Sequence, residues 1–143
     1  MGNSGMTFGR SQFLEPLDLR LLHAPDGSLL TNRDGRQLYS LLGSFSYASV
    51  VAQKLIMVPH GFITDFASVP RLPFTYSTFG DTAHEAAVIH DYLYSSGLFP
   101  REVADAVFLE AMGVLGIPWW KRHAMYLGVR VGGGSHFGPE EGV

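Results

Sequence analysis

The sequence predicts an α+β domain, with an antiparallel β-rich N-terminal half packed against three C-terminal helices. Three observations lead there. The turn residues Pro25-Asp26-Gly27 and Arg33-Asp34-Gly35 divide the apolar stretches between Phe13 and Val58 into short pieces. The apolar run from Lys54 to Val58 is stopped by Pro59, as a strand stops at a residue that cannot extend the ladder. Beyond residue 80 the apolar positions change to helical spacing.

The β-rich portion spans residues 10–60, with a loosely alternating stretch at Phe45 to Val51. Residues 60–80, HGFITDFASVPRLPFTYSTFG, are broken by Gly and Pro and read as an ordered functional loop. Three helices follow over 81–131. The first is capped by Asp81 or Thr82, carries Ala83, Ala87, His90 and Tyr94 on one face, and ends before Gly97. The second starts near Pro100 and turns Ala104, Phe108, Ala111 and Leu115 inward as far as Gly116. The third runs from Pro118 through Trp119, Arg122, Met125, Tyr126 and Val129 to a triple glycine, after which 132–143 reads as a flexible tail. The 143 residues, 46% hydrophobic, suit one domain with a core in which Phe62, Phe66, Val88, Ile89, Phe108 and Met112 are expected to be buried.

Composition removes several function classes. Without cysteine there is no disulfide framework, thiolate zinc site or cysteine nucleophile. Ten Lys and Arg against thirteen Asp and Glu, with the basic residues scattered, give no surface that tracks phosphates, so no nucleic-acid partner is expected. The first ten residues lack the apolar core of a signal peptide, and no run is long enough to span a membrane. Gly2 follows Met1, but a myristoylation motif wants Ser or Thr where Met6 stands.

Two polar clusters sit inside apolar sequence. The first is Gly61 to Arg71, where Thr64, Asp65 and Ser68 have short side chains that bond nearby backbone amides. It is either a self-capped turn with Arg71 paired to a carboxylate, or part of a site to which His60 and Asp65 contribute from the loop side. The second is His90-Asp91-Tyr92-Leu93-Tyr94, followed by Arg101 and Asp105. Successive helical residues point about 100° apart, so His90 and Asp91 are expected to serve different partners. His90, on the inward stripe, suits a general base, and Asp91, on the flank, a cation ligand. If the second helix folds back, Asp105 reaches His90 and fixes its tautomer. The alternative is a satisfied core histidine with carboxylates on the helix surfaces.

The strings VPHGFITDFASVPR, HDYLY and REVADAVF resemble a family of small phage and prophage proteins known mainly as a domain of unknown function, marked by GFxTDxxSxP, HDxxY and a later AD. The resemblance runs from about Val58 to Met112 and implies a phage or prophage accessory protein of the host cytoplasm or the virion, with other phage structural proteins as partners. The helical half, DTAHEAAVIHDYLY then ADAVF, is also similar to the catalytic helix pair of phospholipases A2. That similarity implies His90 as the base activating water, Asp91 as a calcium ligand, Tyr94 as a supporting hydroxyl and Asp105 as the partner of His90. The glycine-rich calcium loop of those enzymes is not found, and Leu93 stands where their disulfide forms have cysteine. A metal-dependent phosphohydrolase of the H…HD…D kind would use His60, His90, Asp91 and Asp105. Those enzymes are helical throughout, however, and space the last Asp much further from the HD pair. No G-x-S-x-G surrounds Ser68, and the GGGSH segment has no lysine to make it a phosphate loop.

The leading expectation is a metal-assisted hydrolase in which His90 and Asp105 activate water against a lipid or another ester or amide. Tyr94, Thr64, Ser68 and Arg71 support the pair, and Asp91, Asp65 and His60 hold the cation. Carboxylates and carbonyls favour calcium, with zinc through His60, Asp65 and His90 as second choice. The competing expectation is a non-catalytic virion or tail-assembly component whose polar cluster locks the loop to the helices. A lock pairs every buried charge, whereas a site keeps a group open to a ligand.

Overall fold

The computed structural model describes residues 9–68 and 83–138. Its six strands are β1 (Gln12–Phe13), β2 (Leu19–Leu21), β3 (Tyr39–Leu41), β4 (Phe45–Ser49), β5 (Lys54–Val58) and β6 (Ile63–Thr64). They form two antiparallel three-stranded sheets, ordered β1-β4-β5 and β2-β3-β6. Three helices follow, α1 (His84–Ser96), α2 (Arg101–Val114) and α3 (Trp119–Gly132). The fold is α+β, with the strands in the N-terminal half and the helices in the C-terminal half.

In the hairpin β4–β5 the register Phe45↔Val58, Tyr47↔Ile56, Ser49↔Lys54 turns Ile56 and Val58 inward while Leu55 and Met57 face out. Between β2 and β3 the chain makes an arm with two tight turns. Gly27 and Gly35 take φ of +89° and +77° there, a region in which a side chain would be strained. Both turns fall where the sequence places them, and each is closed by a polar side chain: Asp26 accepts from the Ser28 amide, and Asn32 from those of Asp34 and Arg36.

The segment expected to be loop from residue 60 contains a strand. β6 pairs with β3 through Tyr39↔Thr64 and Ser40↔Ile63, a stretch too short to leave a period in the sequence. Helix α1 begins at His84 with Ala83 at its N-cap and no side-chain cap. The expected caps Asp81 and Thr82 lie outside the described residues. At its other end Gly97, at φ +63°, closes the helix by donating to the Leu93 carbonyl. Pro100 and Pro118 stand at the N-caps of α2 and α3, one position earlier than a first-turn proline.

The flexible tail expected from residue 132 is replaced, over its first part, by ordered chain. Gly132 ends α3, Gly133–His136 form a 3-10 turn, Phe137 meets the Tyr94 ring edge-on at 5.3 Å, and the Gly138 amide donates to the Tyr94 carbonyl at 2.9 Å. Glycine makes this approach possible, because a Cβ on Gly133 would stand 2.7 Å from the Tyr94 hydroxyl oxygen.

The core lies between the β4–β5 hairpin and the helices: Leu41, Phe45, Tyr47, Ile56 and Val58 meet Val88, Ile89, Leu93, Val107, Phe108 and Met112. Of the six positions expected inside, Phe62 alone is only half-buried, packed edge-on against Tyr92. Glu110 ties α2 to the hairpin by accepting from the Tyr47 hydroxyl, the Ser49 hydroxyl and the Val51 amide at 3.0, 2.8 and 2.9 Å. No helix among the described residues is long and apolar enough to cross a membrane.

Candidate functional site

Packing α1 against α2 brings His90 beside Asp105. His90 Nε2 lies 2.6 Å from Asp105 Oδ1, with the imidazole 2% exposed and the carboxylate fully buried. Asp105 has further donors: the Tyr94 hydroxyl at 2.6 Å, Arg130 Nη1 at 2.7 Å, and Arg101 Nε at 3.9 Å as an ion-pair partner. Burial alone would raise its pKa, but the bonds from His90, Tyr94 and Arg130 outweigh that and hold it below the ordinary carboxylate range. An ionised carboxylate only accepts, so the hydrogen facing it must sit on Nε2. Arg101 also donates to the Val129 and Arg130 carbonyls at the end of α3, which fixes that helix to the site. Burial, and then its bond to Asp105, push the Tyr94 hydroxyl up to about 12.

The other imidazole nitrogen faces the loop. Ser68 Oγ lies 2.5 Å from His90 Nδ1 and 3.1 Å from Asp91 Oδ1, two acceptors for its single hydroxyl hydrogen, while Thr64 Oγ1 donates to Asp91 Oδ2 at 2.5 Å. The expectation that His90 and Asp91 serve wholly different partners is corrected here. Each has one of its own, Asp105 and Thr64, yet both reach Ser68, because a hydroxyl above the helix edge can lie between two side chains that diverge. Burial is the main reason the Asp91 carboxyl is pushed up to about 6; Asp65 adds to the rise, and the hydroxyls of Thr64 and Ser68 oppose it.

The loop holding Ser68 is over-determined. Thr64 Oγ1 accepts from the Phe66 amide, Asp65 Oδ1 accepts from the Ala67 amide, and Arg36 Nη1 donates to the Phe66 carbonyl. Asn32, in the second turn of the arm, donates to Asp65 Oδ2 at 2.5 Å. These contacts hold Phe66, a buried aromatic, at φ +54°, a conformation such residues rarely adopt. Strain of this kind persists only where the surroundings enforce it, and it concentrates at functional sites. Beside the loop lies a pocket of about 630 Å³, into which Thr64, Asp65, Ser68, His90, Asp91 and Tyr94 all contribute, with Leu38, Phe62, Ile63 and Val129 supplying apolar wall.

The cation ligands named from the sequence do not assemble. His60 is exposed and outside the pocket lining, and among the described residues no group of three or more His, Asp or Glu could hold a metal ion. The zinc set of His60, Asp65 and His90 and the phosphohydrolase set of His60, His90, Asp91 and Asp105 therefore fail in geometry. Asp91 and Asp65, the calcium pair, have their oxygens engaged by Thr64, Ser68, Asn32 and the Ala67 amide. Calcium takes about six to eight oxygens, more than these two already hydrogen-bonded carboxylates supply. Arg71 lies outside the described residues.

Sequence reasoning missed Asn32, Arg36 and Arg130. The first two sit in a turn distant in sequence, and their only local signal was turn chemistry. Arg130 stands in the last turn of α3, where a basic residue is ordinarily credited to the helix dipole. Neither the curated proteins nor the solved structures contain a match to this chain. The model of one family, described as a protein of unknown function (DUF1353), matches residues 39–129, which takes in β3 to β6, the loop and nearly all of the three helices. With Thr64, Ser68, His90, Asp91 and Asp105 all inside the matched region, the chain belongs to the DUF1353 family.

Proposed function

We propose that the protein is a phage or prophage accessory hydrolase acting on an ester or amide, with His90 as general base and Asp105 as the carboxylate that orients it. The observation that carries this reading is the hydrogen-bonded chain Ser68–His90–Asp105 beside a pocket of about 630 Å³. A carboxylate held ionised on Nε2 keeps the lone pair of the neutral imidazole on Nδ1, the nitrogen on the pocket side, where a base must be. The apolar wall of Leu38, Phe62, Ile63 and Val129 suits the hydrocarbon part of a lipid or acyl substrate. The phage or prophage setting rests on the motif resemblance alone. No step is routed through a cation.

One observation favours the second reading, a structural lock in a virion or tail-assembly protein. Among the described residues, no buried side-chain nitrogen or oxygen lacks a hydrogen-bond partner. The experiment that separates them is hydrolysis of p-nitrophenyl acetate, butyrate and octanoate and of the matching anilides, by the purified protein and by His90→Gln. Turnover that the substitution removes, with the melting curve retained, supports the hydrolase. No turnover on any of these probes, together with a large loss of thermal stability in His90→Gln, supports the lock.

A further inference from the structure

Three features of the site remain unused by a base that only activates water: the buried Ser68 hydroxyl, the strained loop before it and the Asp91 carboxylate beside it. From them we infer that Ser68 is the nucleophile and that hydrolysis passes through an acyl-enzyme on its Oγ. This rests on the hydrolase reading above and deepens it.

The geometry is that of a nucleophile, its base and an orienting carboxylate, linked in one line. Ser68 Oγ stands 2.5 Å from His90 Nδ1, and His90 Nε2 stands 2.6 Å from Asp105 Oδ1. In the familiar Ser-His-Asp arrangement the serine meets Nε2 and the carboxylate meets Nδ1. Here the two nitrogens are exchanged, which changes nothing in the proton count, since a neutral imidazole offers one N–H and one lone pair whichever way it is turned. Asp105 accepts from Tyr94 and Arg130 as well, so the N–H is committed to that side and the lone pair to Ser68.

The loop supports the assignment independently. Phe66 at φ +54° lies two residues before Ser68, held at its amide by Thr64 and at its carbonyl by Arg36. A merely structural hydroxyl needs no such strained presentation. Ser68 is 6% exposed and is among the residues that line the pocket. Asp91 Oδ1, held by Thr64 on its other oxygen, lies 3.1 Å from the same hydroxyl and competes for its one hydrogen, which the shorter 2.5 Å contact gives to His90 Nδ1.

The chemistry closes with water as the only co-reactant. Ser68 Oγ attacks the carbonyl carbon, a C–O bond forms, and the hydroxyl proton passes to His90 Nδ1. The tetrahedral adduct collapses, the bond to the leaving alkoxide or amine breaks, and the proton on Nδ1 goes to that leaving group. Water then attacks the acyl-serine and gives a proton to Nδ1. The carboxylic acid departs as the Ser68–acyl bond breaks, and the proton returns to Oγ.

The test uses a fluorophosphonate, whose phosphorus an activated serine attacks with loss of fluoride, together with hydrolysis of p-nitrophenyl butyrate. The expected result is one phosphonyl group per chain, mapped by peptide mass to Ser68. Labelling should be absent in Ser68→Ala and at least ~100-fold slower in Asp105→Asn, and ester turnover in Ser68→Ala should fall by about a thousandfold or more. The mapping needs only the unaltered protein, so it decides the matter even if a variant fails to fold. Ester turnover that persists in Ser68→Ala but is lost in His90→Gln would overturn the covalent step while leaving the hydrolase reading intact. Neither labelling nor turnover in the wild type would overturn both.

Discussion

Asp91 and Asp105 are two carboxyls within one network whose environments drive them in opposite directions, and this gives the protein an acid–base signature. Asp105 is held below the ordinary carboxylate range by His90, Tyr94 and Arg130 despite its burial. Its stabilising contribution is therefore complete above about pH 4 and lost as the pH falls through its folded pKa. Asp91 is raised to about 6, mainly by burial. Its folded form binds protons more tightly than the unfolded chain, so its contribution is favourable at low pH and declines as the pH rises from about 4 to about 6. Asp91→Asn should then gain on the wild type across that interval, by on the order of 2 kcal/mol, and melting curves at pH 4 and pH 7 read the difference. An unchanged gap between the two proteins at both pH values would remove the assigned burial effect. Asp105→Ala leaves Arg130 and Tyr94 facing an emptied, buried position and should cost about 3 kcal/mol at neutral pH, measured by urea unfolding.

Helix α2 does two tasks, carrying Asp105 to the site and filling the core with Phe108. Truncating Phe108 to Ala should cost about 3–5 kcal/mol by the cavity it leaves, and a melting temperature like the wild type's would contradict the placement of α2. The turn after α3 depends on the absence of a side chain at Gly133. Gly133→Ala should force the Tyr94 hydroxyl to move, weakening its bond to Asp105, and the loss of stability should be much smaller in Tyr94→Phe, where the clashing oxygen is gone. The elements themselves were largely legible in sequence. Proline and glycine marked the ends of β5, α1, α2 and α3, and the helical spacing of Ala104, Phe108 and Ala111 named the buried face of α2. β6 was not legible, since two residues carry no period and its pairing with β3 is a tertiary event. The 3-10 turn was equally hidden, because consecutive glycines favour a flexible tail unless another residue, here Tyr94, packs on them.

Across the whole molecule, the site is where the two halves of the chain meet. The sheet half supplies Thr64, Asp65 and Ser68, braced from the arm by Asn32 and Arg36, and the helical half supplies His90, Asp91, Tyr94, Asp105 and Arg130. The pairing of His90 with Asp105 could be read from helix spacing because both lie on regular elements joined by a short connection. The contact of Ser68 with His90 could not, since it depends on how a loop crosses a helix. The same convergence bears on a structural cation. With the oxygens of Asp91 and Asp65 engaged by protein donors, calcium, magnesium and zinc added separately to chelated protein should each leave the melting temperature unchanged. A saturable shift of about 2.7 kcal/mol at a hundredfold excess over Kd, absent in Asp91→Ala, would restore the cation at that position. The hydrolytic reading itself meets its most direct test in the ratio of kcat/KM for p-nitrophenyl butyrate between the wild type and a folded His90→Gln. A general base oriented by Asp105 predicts a fall of about a hundredfold or more, whereas equal rates in the two proteins would contradict a catalytic role for this cluster.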